Sequence, residues 1–190
     1  VRLVGSEMCI RDRQGARAYE KQGLSSIHLG DEAVIDTQSF HLSELREVRQ
    51  ARAHAQKAGV RVRIRRHGEL SIEEMQRVEE LAEKWRDTTD ERGFSMALGR
   101  LGDPQDKDCL LAEALVGDEI VAVLSFIPWG LSGTSLDLMR RSPEAPNGTV
   151  ETMIVALCTE ANLHKLSLNF AVFRELFASC LLYTSDAADE

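Results

Sequence analysis

Between Val60 and Arg66 the sequence alternates without a break, VRVRIRR. Successive side chains of an extended chain point to opposite faces, so Val60, Val62 and Ile64 share one face and Arg61, Arg63 and Arg65 the other. A segment like this is stable only when another layer covers its apolar face, which commits the chain to a layered fold containing a sheet. The flanking segments have the helical period instead. Ser43 is placed to cap a helix that runs to Ala58, with Leu45, Val48, Ala51 and Ala55 in one stripe and Gly59 as its stop. Beyond the strand, Ser71-Ile-Glu-Glu74 spells a capping box and predicts a second helix to about Arg86, with Ile72, Met75, Val78, Leu81, Ala82 and Trp85 inward.

The rest of the chain extends this pattern. Tyr19 to Gly23 reads as the last turn of a helix stopped by glycine, followed by an extended pair, 26–29 and 33–36, turned by Gly30-Asp31. From Gly93 to Arg141 the sequence is strand-like, with candidates at 94–98, 109–116, 120–127 and 135–139. Gly117-Asp118 joins the middle pair as a hairpin, giving an antiparallel meander. Pro146-Asn-Gly-Thr149 ends that run. A helix with Val150, Met153, Ile154, Leu157 and Ala161 inward then continues to about His164, and 166–173 reads as another buried strand. The periods together imply an α+β fold.

Composition limits what such a fold can do. At 190 residues with 43% hydrophobic side chains, the chain can build one domain or two small ones. Its longest apolar run, 120–126, falls far short of the ~20 residues that a membrane-spanning helix needs. Lys and Arg total 23 against 31 Asp and Glu, a net charge of -8 that excludes a generally basic nucleic-acid coat. Any polyanion must meet a local patch, and one candidate exists: Arg46, Arg49, Arg52, Lys57, Arg61, Arg63, Arg65 and Arg66 lie within one short stretch. They are either a solvated helix face plus a polar sheet face, or a polyanion contact. Cys9, Cys109, Cys158 and Cys180 form no CxxC pair and have no His at ligand spacing, so neither a zinc site nor a disulfide framework is expected, and a reducing compartment is the default. Cys109 and Cys158 lie in apolar words, LLAEAL and IVALCTE, where a small buried hydrophobe is expected. Glu73, Glu74, Glu79, Glu80 and Glu83 are expected to face solvent.

The two ends read differently from the middle. Residues 1–13 and 180–190 resemble translated sequencing adaptors: a DNA sequence able to encode Cys180 to Ser185 can, on its opposite strand and in another frame, supply the core of Glu7 to Asp12. The expected organisation is therefore 1–13 and 180–190 as artefact, with the biological segment between them cut from a longer gene.

Five ordered words carry a resemblance: Arg92-Gly-Phe-Ser-Met-Ala-Leu-Gly-Arg-Leu-Gly-Asp-Pro104, Leu124-Ser-Phe-Ile-Pro-Trp-Gly130, Leu136-Asp-Leu-Met-Arg-Arg141, Pro146-Asn-Gly148 and Leu168-Asn-Phe-Ala-Val-Phe-Arg174. They resemble the catalytic domain of phosphatidylglycerol lysyltransferases, most of all the bifunctional type that also carries a lysyl-tRNA synthetase. The resemblance covers residues 17–177. It implies a GNAT-like acyltransferase fold in a tandem of two lobes, with 14–66 as the tail of the first and 67–179 as a truncated second. It also implies a membrane domain upstream in the parent protein, a place at the cytoplasmic face of the cell membrane, and transfer of lysine from lysyl-tRNA to phosphatidylglycerol. No cofactor and no metal are expected. A coenzyme A enzyme would show a glycine-rich Q/R-x-x-G-x-G/A turn where this chain has SPEAPNGT, so coenzyme A is not expected either.

The lysyl ester of tRNA is already activated, so the reaction needs orientation rather than a covalent nucleophile. Ser125, Ser132, Ser135 and Ser142 show no local His/Asp arrangement, and His28, His41, His54, His67 and His164 are scattered. A carboxylate for the lipid hydroxyl proton and a guanidinium for the lipid phosphate are the minimum. Asp137 and Arg140 match the family's Asp-x-x-Arg and are the expected catalytic pair, although a charged pair near a strand end can equally be a structural salt bridge. Residues three apart in an unbroken strand face opposite ways. Either a bulge near Met139 aligns Asp137 with Arg140, or Arg141 is the partner. Asn147 and Gly148 at the helix start are candidates for an anion or carbonyl-oxygen site, or form an ordinary Asn cap. Arg61, Arg63 and Arg65 are candidates for tRNA backbone or anionic headgroups. Trp129 is either a core plug or a loop residue near lipid. Two other functions fit the same words: a peptidoglycan-bridge aminoacyltransferase using the same donor, and a non-catalytic lobe that binds lipid or RNA. The chain alone is expected to be inactive.

Overall fold

The computed structural model describes residues 13–25, 30–86 and 101–172. In chain order the elements are α1 (Arg13–Glu20), β1 (Gly30–Asp36), α2 (Arg46–Lys57), β2 (Val60–Arg66), α3 (Ile72–Lys84), β3 (Leu110–Val116), β4 (Glu119–Trp129), β5 (Gly133–Arg141), α4 (Thr149–Glu160) and β6 (Lys165–Val172). Short 3-10 turns occupy Leu42–Glu44 and His67–Glu69. The strands form one sheet in the order β1-β6-β5-β4-β3-β2. β2, β3, β4 and β5 are successive antiparallel neighbours, and β6 runs parallel to β5. The expected α+β class and the antiparallel meander are both present.

Residues 34–168 form one compact unit, and 1–33 with 169–190 a second. In the second, α1 closes through Gly23, whose φ of 81° is the left-handed stop expected of it. In the larger unit the two faces of the sheet bury different layers. Ala55 of α2 and Met153 and Leu157 of α4 pack on Val60, Ala112, Ala114, Ala122, Leu124, Phe126 and Leu166, with Val62 and Ile64 alongside. Val78 and Ala82 of α3, with Trp85 at its C-cap, pack on Leu111 and Val123 from the other side. This explains why β4 is buried at every position from Ala122 to Phe126: a central strand with helices on both faces has no wet side.

The alternating segment pairs with β3 along its whole length, Val60 opposite Val116 through Arg66 opposite Leu110. The capping box is present: Ser71 Oγ accepts from Glu74 N at 3.2 Å, and Glu74 accepts from Ser71 N at 2.8 Å.

Several local expectations are corrected. Ser43 does not cap α2, because 42–44 close a 3-10 turn first and the helix starts at Arg46 with Leu45 as its N-cap and no side-chain cap bond. Leu45 thus lies before the helical stripe and is exposed. Ile72 is exposed as well: at 3.6 residues per turn it sits roughly 120° around the helix from Val78, outside the buried stripe. Gly30-Asp31 is strand rather than turn. α4 ends at Glu160, short of His164, because Asn162 turns to φ 48° and His164 N donates to Ser132 O at 2.8 Å. The strands expected at 26–29 and 94–98 lie outside the described residues.

Candidate active site

β5 carries the expected pair, and its register decides how the pair is arranged. Leu138 lies opposite Ser125 on β4, but Phe126 lies opposite Leu136, so Asp137 is the extra residue of a β-bulge. Packing on each side agrees: Leu136 joins the core under α4 and Leu138 the core under α3. Downstream of the bulge Arg140 lies opposite Val123 and so faces α3, whereas Met139 and Arg141 lie opposite Leu124 and Ala122 and face the other way. β5 thus bulges at Asp137, two residues before Met139. Asp137 and Arg140 are both half-buried, and Arg141 is exposed. Arg140 Nη1 donates to the Met139 carbonyl at 3.1 Å.

Nearer its start β5 also pairs with β6, as Gly133, Thr134 and Ser135 opposite Lys165, Leu166 and Ser167, and β5 continues to Arg141.

The arginines of β2 are engaged within the sheet. Glu113 of β3, fully buried, lies opposite Arg63. Arg63 grips it with both ends of its fork, Nε to Oε2 at 2.8 Å and Nη2 to Oε1 at 2.9 Å. Arg65 adds Nη2 to the same carboxylate at 3.0 Å and reaches Glu74 of α3 through Nη1 at 2.6 Å. The Glu113 hydrogen bonds hold the Arg63 pKa above its usual value, and those from the Ser71 backbone and Arg65 hold Glu74 below its own. Arg61 is exposed and donates to the Gly117 carbonyl at 2.6 Å. Glu74 and Glu79 are not simply solvent-facing, since Glu74 is in this network and Glu79 packs against Gly102.

Gly148 rather than Asn147 is the N-cap of α4, with φ 86° and no side-chain cap bond, which removes the ordinary Asn cap. Gly148 is buried, and the carbonyl of Ala51 in α2 occupies the space where a Cβ would be. Asn147 is exposed. The helix start is thus approached by a carbonyl from α2.

One pair escaped the sequence. His67 Nε2 lies 3.2 Å from Ser125 Oγ, with both side chains buried. His67 Nδ1 is buried with no hydrogen-bond partner, so no carboxylate orients this imidazole as an acyl-transfer triad would require. Burial pushes the His67 pKa down, opposed by Asp106. Pairing across 58 positions leaves no local signal; the signal that could have been read is a histidine directly after an alternating strand. Cys109 is buried as expected, and burial pushes the half-buried Cys158 thiol up to about 11, so Cys158 is not a thiolate at neutral pH. Among the described residues no group of three His, Cys, Asp or Glu could hold a metal ion, and no helix is long and apolar enough to cross a membrane.

The family described as phosphatidylglycerol lysyltransferase, C-terminal, matches residues 8–187. The lysylphosphatidylglycerol biosynthesis bifunctional protein LysX of Mycolicibacterium vanbaalenii is 56% identical over 168 residues, 86% of this chain and 15% of the relative. The protein of the same name from Nocardia farcinica is 54% identical over 170 residues, again 86% of this chain and 15% of its own length. This chain thus spans a small part of the relatives it matches. Two solved structures share its fold: L-PGS from Bacillus licheniformis, with TM-score 0.69 at 22% identity over 83% of this chain and 50% of that one, and the C-terminal domain of a putative lysylphosphatidylglycerol synthetase from Agrobacterium fabrum, with TM-score 0.71 at 20% identity over 90% and 56%.

Proposed function

Because the chain belongs to the family described as phosphatidylglycerol lysyltransferase, C-terminal, we propose that it is part of the catalytic domain of an enzyme that moves lysine from lysyl-tRNA to phosphatidylglycerol. The observation that carries this reading at the level of residues is the bulge at Asp137 in β5, with Arg140 following on the α3 face. A bulge of this kind re-aims side chains beside a reacting centre. A central strand that bulges, followed by a helix and then a strand parallel to it, also supports a GNAT-like acyltransferase plan, in which the acyl donor lies near the start of the helix.

In this reading the lipid glycerol hydroxyl attacks the carbonyl of the lysyl ester. A new ester C–O bond forms to the lipid, the ester bond to the tRNA ribose breaks, and the proton lost by the lipid hydroxyl is taken by Asp137 and returned to the leaving ribose oxygen. Arg140 holds the lipid phosphate with its planar fork. Both substrates bring their own reactivity, so aligning them in a site shielded from water supplies roughly 7–11 kcal/mol of the barrier reduction. The reaction takes place at the cytoplasmic face of a membrane, next to a membrane domain of the parent protein. Arg61 and the exposed cations of α2 are the groups left to meet tRNA or headgroups, because Arg63 and Arg65 are already held by Glu113.

The test uses the full-length protein that contains this chain. Asp137→Asn should lower transfer of labelled lysine from tRNA to phosphatidylglycerol by about 100-fold or more, the scale of a lost general base, without changing the fold. Unchanged transfer would remove Asp137 from the reaction.

A further inference from the structure

The hairpin between β4 and β5 ends in Pro128-Trp129-Gly130-Leu131, and Gly130 takes φ 64° to make the turn. Leu131 holds its side chain wholly in water, at 107% relative exposure. Beside it Trp129 is half-buried, with the Lys165 ammonium 6.0 Å from its ring centroid. The start of β6 is fastened to this tip by His164 N to Ser132 O at 2.8 Å and by the pairing of Gly133 with Lys165. The two stretches brought together, 128–134 and 161–168, contain no Asp or Glu in a chain that has 31. The adjoining segment, whose Thr37 N donates to His164 O, brings Asp36, and that carboxylate accepts from Gln38 N at 3.0 Å.

We propose that this tip is the surface by which the domain touches an anionic phospholipid bilayer. The inference rests on the reading of a lipid acceptor given above and adds how the domain approaches it. A fully exposed leucine enters the acyl boundary, a tryptophan sits at headgroup level, and the lysine ammonium beside its ring meets phosphate. The gap in acidic residues removes the repulsion that an acidic chain would otherwise meet at such a surface. Gly133 and Asp137 are four residues apart on β5, about 13 Å of strand, so a tip seated in the headgroup layer holds Asp137 close above it. One leucine and one lysine make a reversible contact, fit for a domain that must also admit a tRNA.

The 190-residue chain is mixed with phosphatidylcholine vesicles, with the same vesicles containing phosphatidylglycerol, and with transfer RNA. It should co-sediment with the phosphatidylglycerol vesicles. Leu131→Asp, at a side chain that touches solvent alone and leaves the far-UV spectrum unchanged, should weaken that binding at least about tenfold, the loss expected when a buried leucine is replaced. Brominated lipid should quench the tryptophan fluorescence, and Trp129→Phe should remove the quenching while buried Trp85 still emits. No vesicle binding by the unaltered chain, equal binding by Leu131→Asp, or an equal loss of transfer RNA binding in that variant would overturn the proposal. Because these readouts need no lysyl transfer, they stand or fall separately from the catalytic reading: Asp137→Asn should keep vesicle binding whether or not it loses activity.

Discussion

Leu136 and Leu138, two residues apart on one strand, pack into cores on opposite faces of the sheet. A regular strand would put both on one face. The extra residue at Asp137 reverses the sense of everything after it, so Arg140 faces α3 and Arg141 faces the α4 side.

The reversal decides which face each of the two adjacent arginines takes. In the full-length protein, Arg140→Lys keeps the charge but loses the bidentate fork, and should raise the KM for phosphatidylglycerol about tenfold while tRNA binding stays unchanged. Arg141→Lys, on the opposite face, should leave both near their starting values. Steady-state kinetics with each substrate varied in turn checks this, and a larger effect at Arg141 would reassign the guanidinium.

His67 should make stability depend on pH. Its pKa in the fold is lowered by burial from an ordinary value of 6.5, so the unfolded chain takes up the proton first. Its contribution is therefore fully present above about pH 6.5 and is lost as pH falls below that value. Urea midpoints at pH 7.5 and pH 5.5 should differ, and His67→Gln should shrink the difference. An unchanged difference would place the acid sensitivity elsewhere.

Glu113 and its two arginines should behave as one unit. Glu113→Gln leaves Arg63 and Arg65 without their shared carboxylate and should cost about 3 kcal/mol in unfolding free energy. Replacing all three together, Arg63→Met, Arg65→Met and Glu113→Leu, should cost less than the single change, because no arginine is then left facing a buried position that has lost its carboxylate. Equilibrium denaturation of the two variants decides the point.

How much of this was legible depends on the range over which each signal acts. VRVRIRR revealed its strand, faces and ends because period-2 alternation is local, and Ser71 with Glu74 revealed the start of α3 because the box closes within one turn. The need for a bulge could be argued from the spacing of Asp137 and Arg140. Its position could not, since it is set by which β4 residue each β5 side chain packs beside. The binding of Arg63 and Arg65 to Glu113 was hidden for a similar reason: each reads as a solvent-facing charge until β2 and β3 are laid in register. Glu113 was the available clue, a single charge in the apolar run Leu110 to Val116.

Gly148 shows the same limit at a glycine. In sequence Asn147-Gly148 reads as a helix start open to an anion, but the structure gives Gly148 a packing reason to be glycine. Its φ is 86°, a conformation that disfavours a side chain, and a Cβ there would overlap the Ala51 carbonyl of α2. Relief would require α2 to move away from α4, and those two helices together cover the face of the sheet that holds Leu124, Phe126 and Leu166. Gly148→Ala should therefore destabilise the domain by about 3 kcal/mol or more, well above the cost of backbone strain alone. Asn147→Ala, at an exposed position that makes no cap bond, should cost less than about 0.5 kcal/mol. If Gly148→Ala is tolerated as well as Asn147→Ala in thermal unfolding, the α2–α4 contact is not what the glycine serves, and the helix start is left open for a substrate oxygen.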